Sequence, residues 1–290
     1  MKNPVKKIAA INDLSGVGRS SLTAMIPVIS YMGIQVCPVP TSVLSTQTSG
    51  YENYSFVDLT DTMKSFLDHW IESGLVFDCI FSGFLGSEKQ ADIILDFVKN
   101  PVNHHSLVIV DPVMGDNGQL YDTVNGHITE KMKKLVSCAD IILPNQFEAL
   151  YLLEMEQREI LTENQANKMM KQLSAMGPEQ VVITGARIEH LENRICTLCY
   201  DSVSGRSWKV ESEHLPVYYP GTGDAFASVF TGSLLSGKSL PESVAAASEF
   251  VLRGIRESCK YDYPAREGIL IEKILGTLKT PEGLLYPKEI

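Results

Sequence analysis

Six short runs, KKIAAI (6–11), IQVCPV (34–39), FDCIFSG (77–83), LVIVDPV (107–113), DIILPN (140–145) and QVVITG (180–185), are mostly apolar throughout rather than at every second position. A strand that is apolar on both faces must be covered on both faces. The intervening segments carry helical spacing, at about 20–32, 61–73, 88–99, 126–137, 146–154 and 162–176. This alternation predicts an α/β fold: a doubly wound, mostly parallel central sheet with helices on both faces.

After QVVITG the rhythm changes. RICTLCYD (194–201) and RSWKVESEH (206–214) flank the turn-rich SVSG and predict a β-hairpin or meander. Helical patterns follow at about 222–236, 241–258 and 267–278. No Gly/Ser linker, charge block or internal repeat divides the sequence, so one domain is expected over residues 1–290.

The formal net charge of −10 argues against a nucleic-acid surface, which needs a basic footprint. It leaves room for an anionic ligand, because backbone amides, helix N-termini and a metal ion hold phosphate in acidic proteins. The opening MKNPVKKIAAIND lacks the pattern of a secretory signal, and no apolar run approaches the ~20 residues of a membrane span. The six cysteines are scattered, which predicts reduced thiols and a cytoplasmic protein. Cys196 and Cys199 form a CxxC inside a strand-like run, with no second pair to complete a metal site.

Ligands of open α/β sheets bind beyond the carboxyl ends of the strands. In this chain those ends read IND (11–13), SGF (82–84), DPVMGD (111–116), LPNQFE (143–148) and TGAR (184–187). Two glycine motifs elsewhere fail a context test. GSLLSGKS (232–239) matches the P-loop pattern, but its glycines fall at the end of a predicted helix rather than between strand and helix. GVGRSS (16–21) evokes the dinucleotide fingerprint, yet its third glycine is Ser21 and no acid ends the second strand.

YPGTGDAFASVF (219–230) is different. Glycines allow several N–H groups to converge, and at a helix N-terminus such amides form an anion hole. Asp224 then has two readings: an ordinary helix N-cap, or a general base that deprotonates an alcohol beside a bound phosphate.

The GTGD segment resembles the signature of the ribokinase-like superfamily of small-molecule kinases. ADIILPNQFEAL (139–150), AMGPEQVVITG (175–185), DPVMGD (111–116), AINDLSGVGRSSLTAMIP (10–27) and PTSVLSTQTSGY (40–51) are similar, in the same order, to segments of its pyridoxal kinases. SGVGRSSL also resembles the opening of the related hydroxymethylpyrimidine kinases. The resemblance spans nearly the whole chain. It implies ATP-dependent phosphorylation of the 5′-hydroxymethyl group of a B6 vitamer, with Mg²⁺ as cofactor and a homodimer as the assembly. A kinase of the same fold acting on hydroxymethylpyrimidine or another small alcohol is the alternative; a non-catalytic vitamer-binding protein is a third reading.

Residue by residue, the resemblance makes Asp224 the base and gives Gly221, Thr222 and Gly223 the transferring phosphoryl. It sets Asp111, Asp116, Asn145, Glu148 and Thr184 around the nucleotide, with Asp111 and Glu148 near the metal, Glu148 through water. It groups Asp13, Val43, Gln47, Thr48 and Phe84 around the vitamer ring. Plainer readings stand beside these: Asn145 and Glu148 as a capping box, Asp111 as a strand end, Asp116 as the start of a DNG turn, Phe84 as core. Departures from the family pattern fall at Asp13, where many members carry Ser, and at Leu143, where some carry a Thr that aids a monovalent cation. Gly185 and Arg187 differ from the Ser or Lys often found there.

Overall fold

The computed structural model describes residues 4–116, 118–121, 126–279 and 285–290. Its centre is a ten-stranded sheet in the order β12-β11-β10-β9-β8-β5-β4-β1-β2-β3. The parallel strands are β1 (Lys7–Ser15), β2 (Gln35–Leu44), β4 (Cys79–Ser82), β5 (Leu107–Val110), β8 (Ile141–Ile142) and β9 (Gln180–Ala186). Antiparallel strands finish both edges: β3 (Phe56–Asp58) on one, and β10 (Arg194–Asp201), β11 (Arg206–Glu213) and β12 (Lys288–Glu289) on the other.

The unbroken apolar runs are explained by two cores, one on each face. Along β1, Ala9 and Ile11 enter one core while Ile8 and Ala10 enter the other; Val181 and Ile183 oppose Val182 in the same way on β9. The first core is completed by α2 (Thr60–Glu72), α3 (Glu88–Lys99), α4 (Gly126–Val136), α5 (Gln146–Leu152) and α6 (Glu163–Ser174), through Met63, Ile94, Met132, Leu150 and Met169. The second is completed by α1 (Ser21–Tyr31), α7 (Thr222–Leu235) and α8 (Leu240–Ser258), through Met25, Phe230 and Val244. The same alternation sends Cys196 into the first core and Cys199 into the second, so the CxxC thiols lie on opposite faces of β10 and cannot act as a pair.

Several details depart from the sequence expectation. The segment 267–278 is not one helix: a 3-10 turn (Ala265–Glu267), a short helix α9 (Ile271–Ile274) and another 3-10 turn (Leu275–Leu278) replace it. β3, β12 and a small hairpin of β6 (Gly115–Asp116) and β7 (Gln119–Leu120) carry no signal in the alternation pattern, each being only two or three residues long. The DNG turn proposed for Asp116 involves Asn117, which lies outside the described residues. The P-loop look-alike is a helix junction: Gly232 is inside α7, and Ser239 with Glu242 forms the capping box that starts α8.

The chain winds outward in one direction from β1 to β2, then crosses to β4 and continues the other way. The reversal leaves a crevice beyond the carboxyl ends of β1 and β4. α7 points its N-terminus at the same place.

Candidate active site

A cleft of about 1310 Å³ opens at these strand ends. It is larger than the ~300–1,000 Å³ that one small ligand occupies, so it has room for two.

Gly221 is the N-cap of α7 with φ of 79°, and a Cβ there would stand 1.9 Å from the Arg19 carbonyl oxygen. Only glycine fits. Asp224 is therefore not the cap; it lies in the first turn, where the helix dipole favours its charge. Its carboxyl is held from β1, by Asn12 Nδ2 donating to Oδ1 at 3.2 Å. Asn12 is itself locked, because its Oδ1 accepts from Phe84 N–H at 2.9 Å and from Asp13 N–H at 3.0 Å. Burial pushes the Asp224 carboxyl up to about 6; the facing Ser21 N–H and Asn12 amide hold it down, while the Asp13 charge adds to the rise. A carboxylate poised near neutrality, with a free side to a cleft, is suited to proton abstraction.

Asp13 is 7% exposed, takes a short hydrogen bond from Ser21 Oγ and another from Ser15 Oγ at 3.0 Å. Burial raises its pKa, against the two hydroxyls. Ser21 has φ of 48°, a left-handed conformation rare for a side-chain-bearing residue and frequent at functional sites.

A second acidic group lies across the cleft. Glu148 is 3% exposed; its Oε1 accepts from Met114 N–H at 2.9 Å and Gly115 N–H at 3.3 Å, and its Oε2 from Asn145 N–H at 2.9 Å. Asn145 Oδ1 caps α5 through Glu148 N–H, and Nδ2 donates to Gly115 O at 2.8 Å. The capping box is thus real, and it stands in the cleft wall. Burial pushes Glu148 up to about 8, opposed by these backbone N–H groups. Asp111, just past β5, is raised well above the carboxylate range by burial first, then by Glu148 and Asp224. Asp111 and Glu148 thus give the cleft wall two buried, mutually repelling carboxyl groups.

Asp116, Thr184, Thr222, Gly223, Gln47, Thr48 and Phe84 also line the cleft. Val43 does not. Alternation along β2 turns it outward at 38% exposure, and its neighbour Leu44 is the residue in the cleft wall. Gln47 lines the cleft with its amide already engaged, Nε2 donating to Arg266 O at 2.6 Å and Oε1 accepting from Ser49 N–H at 2.9 Å. Leu143 offers no side-chain oxygen for a monovalent cation, and Arg187 pairs with Glu159. Among the described residues no group of three or more His, Cys, Asp or Glu is gathered to hold a metal.

Sequence reasoning missed Asn12, Ser21 and Tyr121. Asn12 and Ser21 stand in the quoted segment AINDLSGVGRSSLTAMIP, so position was available but role was not. Tyr121 lies near Asp116, Glu148 and Asp224, and burial and those charges raise its phenol pKa.

The model of the family described as phosphomethylpyrimidine kinase matches residues 18–266. The chain belongs to that family. This kinase is 30% identical over 264 residues to the pyridoxal kinase PdxY of Rubrobacter xylanophilus, covering 86% of this chain and 89% of that protein. A Bacteroides thetaiotaomicron protein described as a phosphomethylpyrimidine kinase, crystallised with pyridoxal, superposes with a TM-score of 0.94 at 43% identity over 99% of this chain and all of that one. The pyridoxal kinase of Lactobacillus plantarum superposes at 0.86 with 30% identity, covering 95% and 97%. The ribokinase-like fold and the small-molecule kinase class are thereby established for this kinase. Among its described residues no helix is long and apolar enough to cross a membrane.

Proposed function

We propose that this kinase transfers the γ-phosphoryl group of ATP to the 5′-hydroxymethyl group of a B6 vitamer. The observation that carries the reading is the junction of the Gly221–Gly223 amides with the Asp224 carboxyl in a cleft large enough for nucleotide and alcohol together. Asp224 takes the alcohol proton as the oxygen attacks phosphorus. The Thr222 and Gly223 amides at the start of α7 stabilise charge on the transferring group, the kind of donor whose loss costs about 3–4 kcal/mol in barrier. Asn12 holds the base in line.

The donor set around Asp111 and Glu148 is all oxygen and suits Mg²⁺ rather than a softer metal. Asp111 would face the ion and Glu148 would reach it through water, its two oxygens being occupied by backbone N–H groups. When bound, the ion would supply positive charge that offsets the charge of the nucleotide phosphates. Apolar side chains of the cleft wall, Leu215, Val217, Ala227, Val251, Leu252 and Ile255, would receive the nucleotide base. Asp13, Gln47, Thr48 and Phe84 would surround the vitamer. A cytoplasmic homodimer belongs to the same reading.

The family description and the Asp13 carboxylate favour one competitor, hydroxymethylpyrimidine. Mass-spectrometric detection of phosphorylated product, with Mg-ATP and each alcohol in parallel, separates them. The reading expects a vitamer 5′-phosphate; product from the pyrimidine with none from any vitamer would replace it.

A further inference from the structure

Behind the cleft wall the 3-10 turn Ala265–Glu267 carries none of the motif chemistry, yet its successive carbonyls hold two different cleft loops. Arg266 O accepts from the Gln47 amide at 2.6 Å. Glu267 O accepts from Arg19 N–H at 3.0 Å and from Arg19 Nη1 at 3.1 Å. Arg19 in turn supplies the carbonyl against which Gly221 is packed. The Arg266 guanidinium lies 4.6 Å over the Tyr51 ring, and its Nη1 donates to Gly50 O at 3.4 Å. Gly268 closes the turn at φ of 82°, where a Cβ would be 2.9 Å from Pro220 O, immediately before the anion hole.

We propose that the 265–268 turn is a positioning element that sets the spacing between the 47–51 loop and the Gly221 anion hole, with Arg266 as the residue that fixes the loop. This rests on the kinase reading of the cleft, in which one loop holds the acceptor alcohol and the other the phosphoryl group. Arg266 is not part of the cleft wall; it acts through Gln47, Gly50 and Tyr51. Successive carbonyls of one rigid turn cannot shift independently, so the two loops keep register.

The test is Arg266→Ala, which removes the cation and the bond to Gly50 but keeps the backbone carbonyl on Gln47. KM for the alcohol should rise about three- to tenfold, the scale of one cation–π contact and one weak hydrogen bond, while KM for ATP stays unchanged. Arg266→Lys, which restores a cation over Tyr51, should recover most of the loss. Hydrogen exchange of the ligand-free protein provides a readout independent of substrate: it should quicken over residues 45–54 in Arg266→Ala. An unchanged alcohol KM, or an equal rise in both KM values, overturns the proposal, and so does unchanged exchange over 45–54. A wild-type protein inactive on every vitamer counts against the vitamer reading alone, and the exchange result then decides whether the turn braces the loop.

Discussion

Asp224 carries opposite consequences for activity and for stability. Its pKa in the fold, about 6, lies above that of an unfolded aspartate, so the folded state binds the proton more tightly. The stability this contributes is full below the unfolded value and is lost as pH rises through about 6. Under the proposed mechanism catalysis needs the deprotonated form and runs the other way. Turnover should therefore fall on the acid side with a midpoint near 6, read from a pH–rate profile. Asp224→Asn should raise Tm at pH 8, by about 2–4 °C for each kcal/mol recovered, in a thermal melt. Gly221→Ala should do the reverse of stabilising. Its Cβ meets the Arg19 carbonyl and its φ is left-handed, so a loss of about 3 kcal/mol or more is expected by urea titration, together with loss of turnover. The weight of these residues was unevenly legible in the sequence. Gly221 and Asp224 announced themselves through GTGD, whereas Asn12 looked like any strand-end amide until folding brought it to a carboxyl 212 positions away.

The placing of elements explains why the letter-perfect P-loop pattern stands away from the cleft. α7 begins at the cleft and buries its small residues between α1 and α8, so its N-terminal end faces the cleft and its C-terminal GSLLSGKS faces away. Lys238 is exposed beyond that far end and is absent from the cleft wall. Lys238→Ala should leave kcat and both KM values within about twofold, whereas a working P-loop lysine would cost orders of magnitude. The long strands and helices were readable because doubly covered strands are apolar throughout and helices repeat with their own period. Short pieces were not. β3 and the β6–β7 hairpin span two or three residues each, and the stretch after 267 keeps a helical apolar pattern while Gly268, at positive φ, breaks the helix. Val43 shows the same limit from the other side. Loop resemblance marked the segment, but only the pleat of β2 determines that Leu44 rather than Val43 turns inward.

At the scale of the molecule, sheet order brings the ends of β1, β4, β5, β8 and β9 to one crevice and sets two acidic groups across it. All four acids line the cleft, Asp13 acting on Asp224 and Glu148 on Asp111; the proposed function puts the alcohol beside the first pair and the phosphates beside the second. On the proposed Mg²⁺ reading, the burial that raises both carboxyls of the second pair should make metal binding release protons, measurable as buffer-dependent heat in calorimetry. Chelation should abolish turnover and leave the fold intact. The central claim, that Asp224 is the base beside an anion hole, is tested most directly by ADP release from Asp224→Ala with Mg-ATP and pyridoxal, alongside nucleotide affinity. The account predicts turnover lower by about 10²–10⁴-fold with nucleotide binding nearly unchanged. Near-normal turnover in that variant would contradict it.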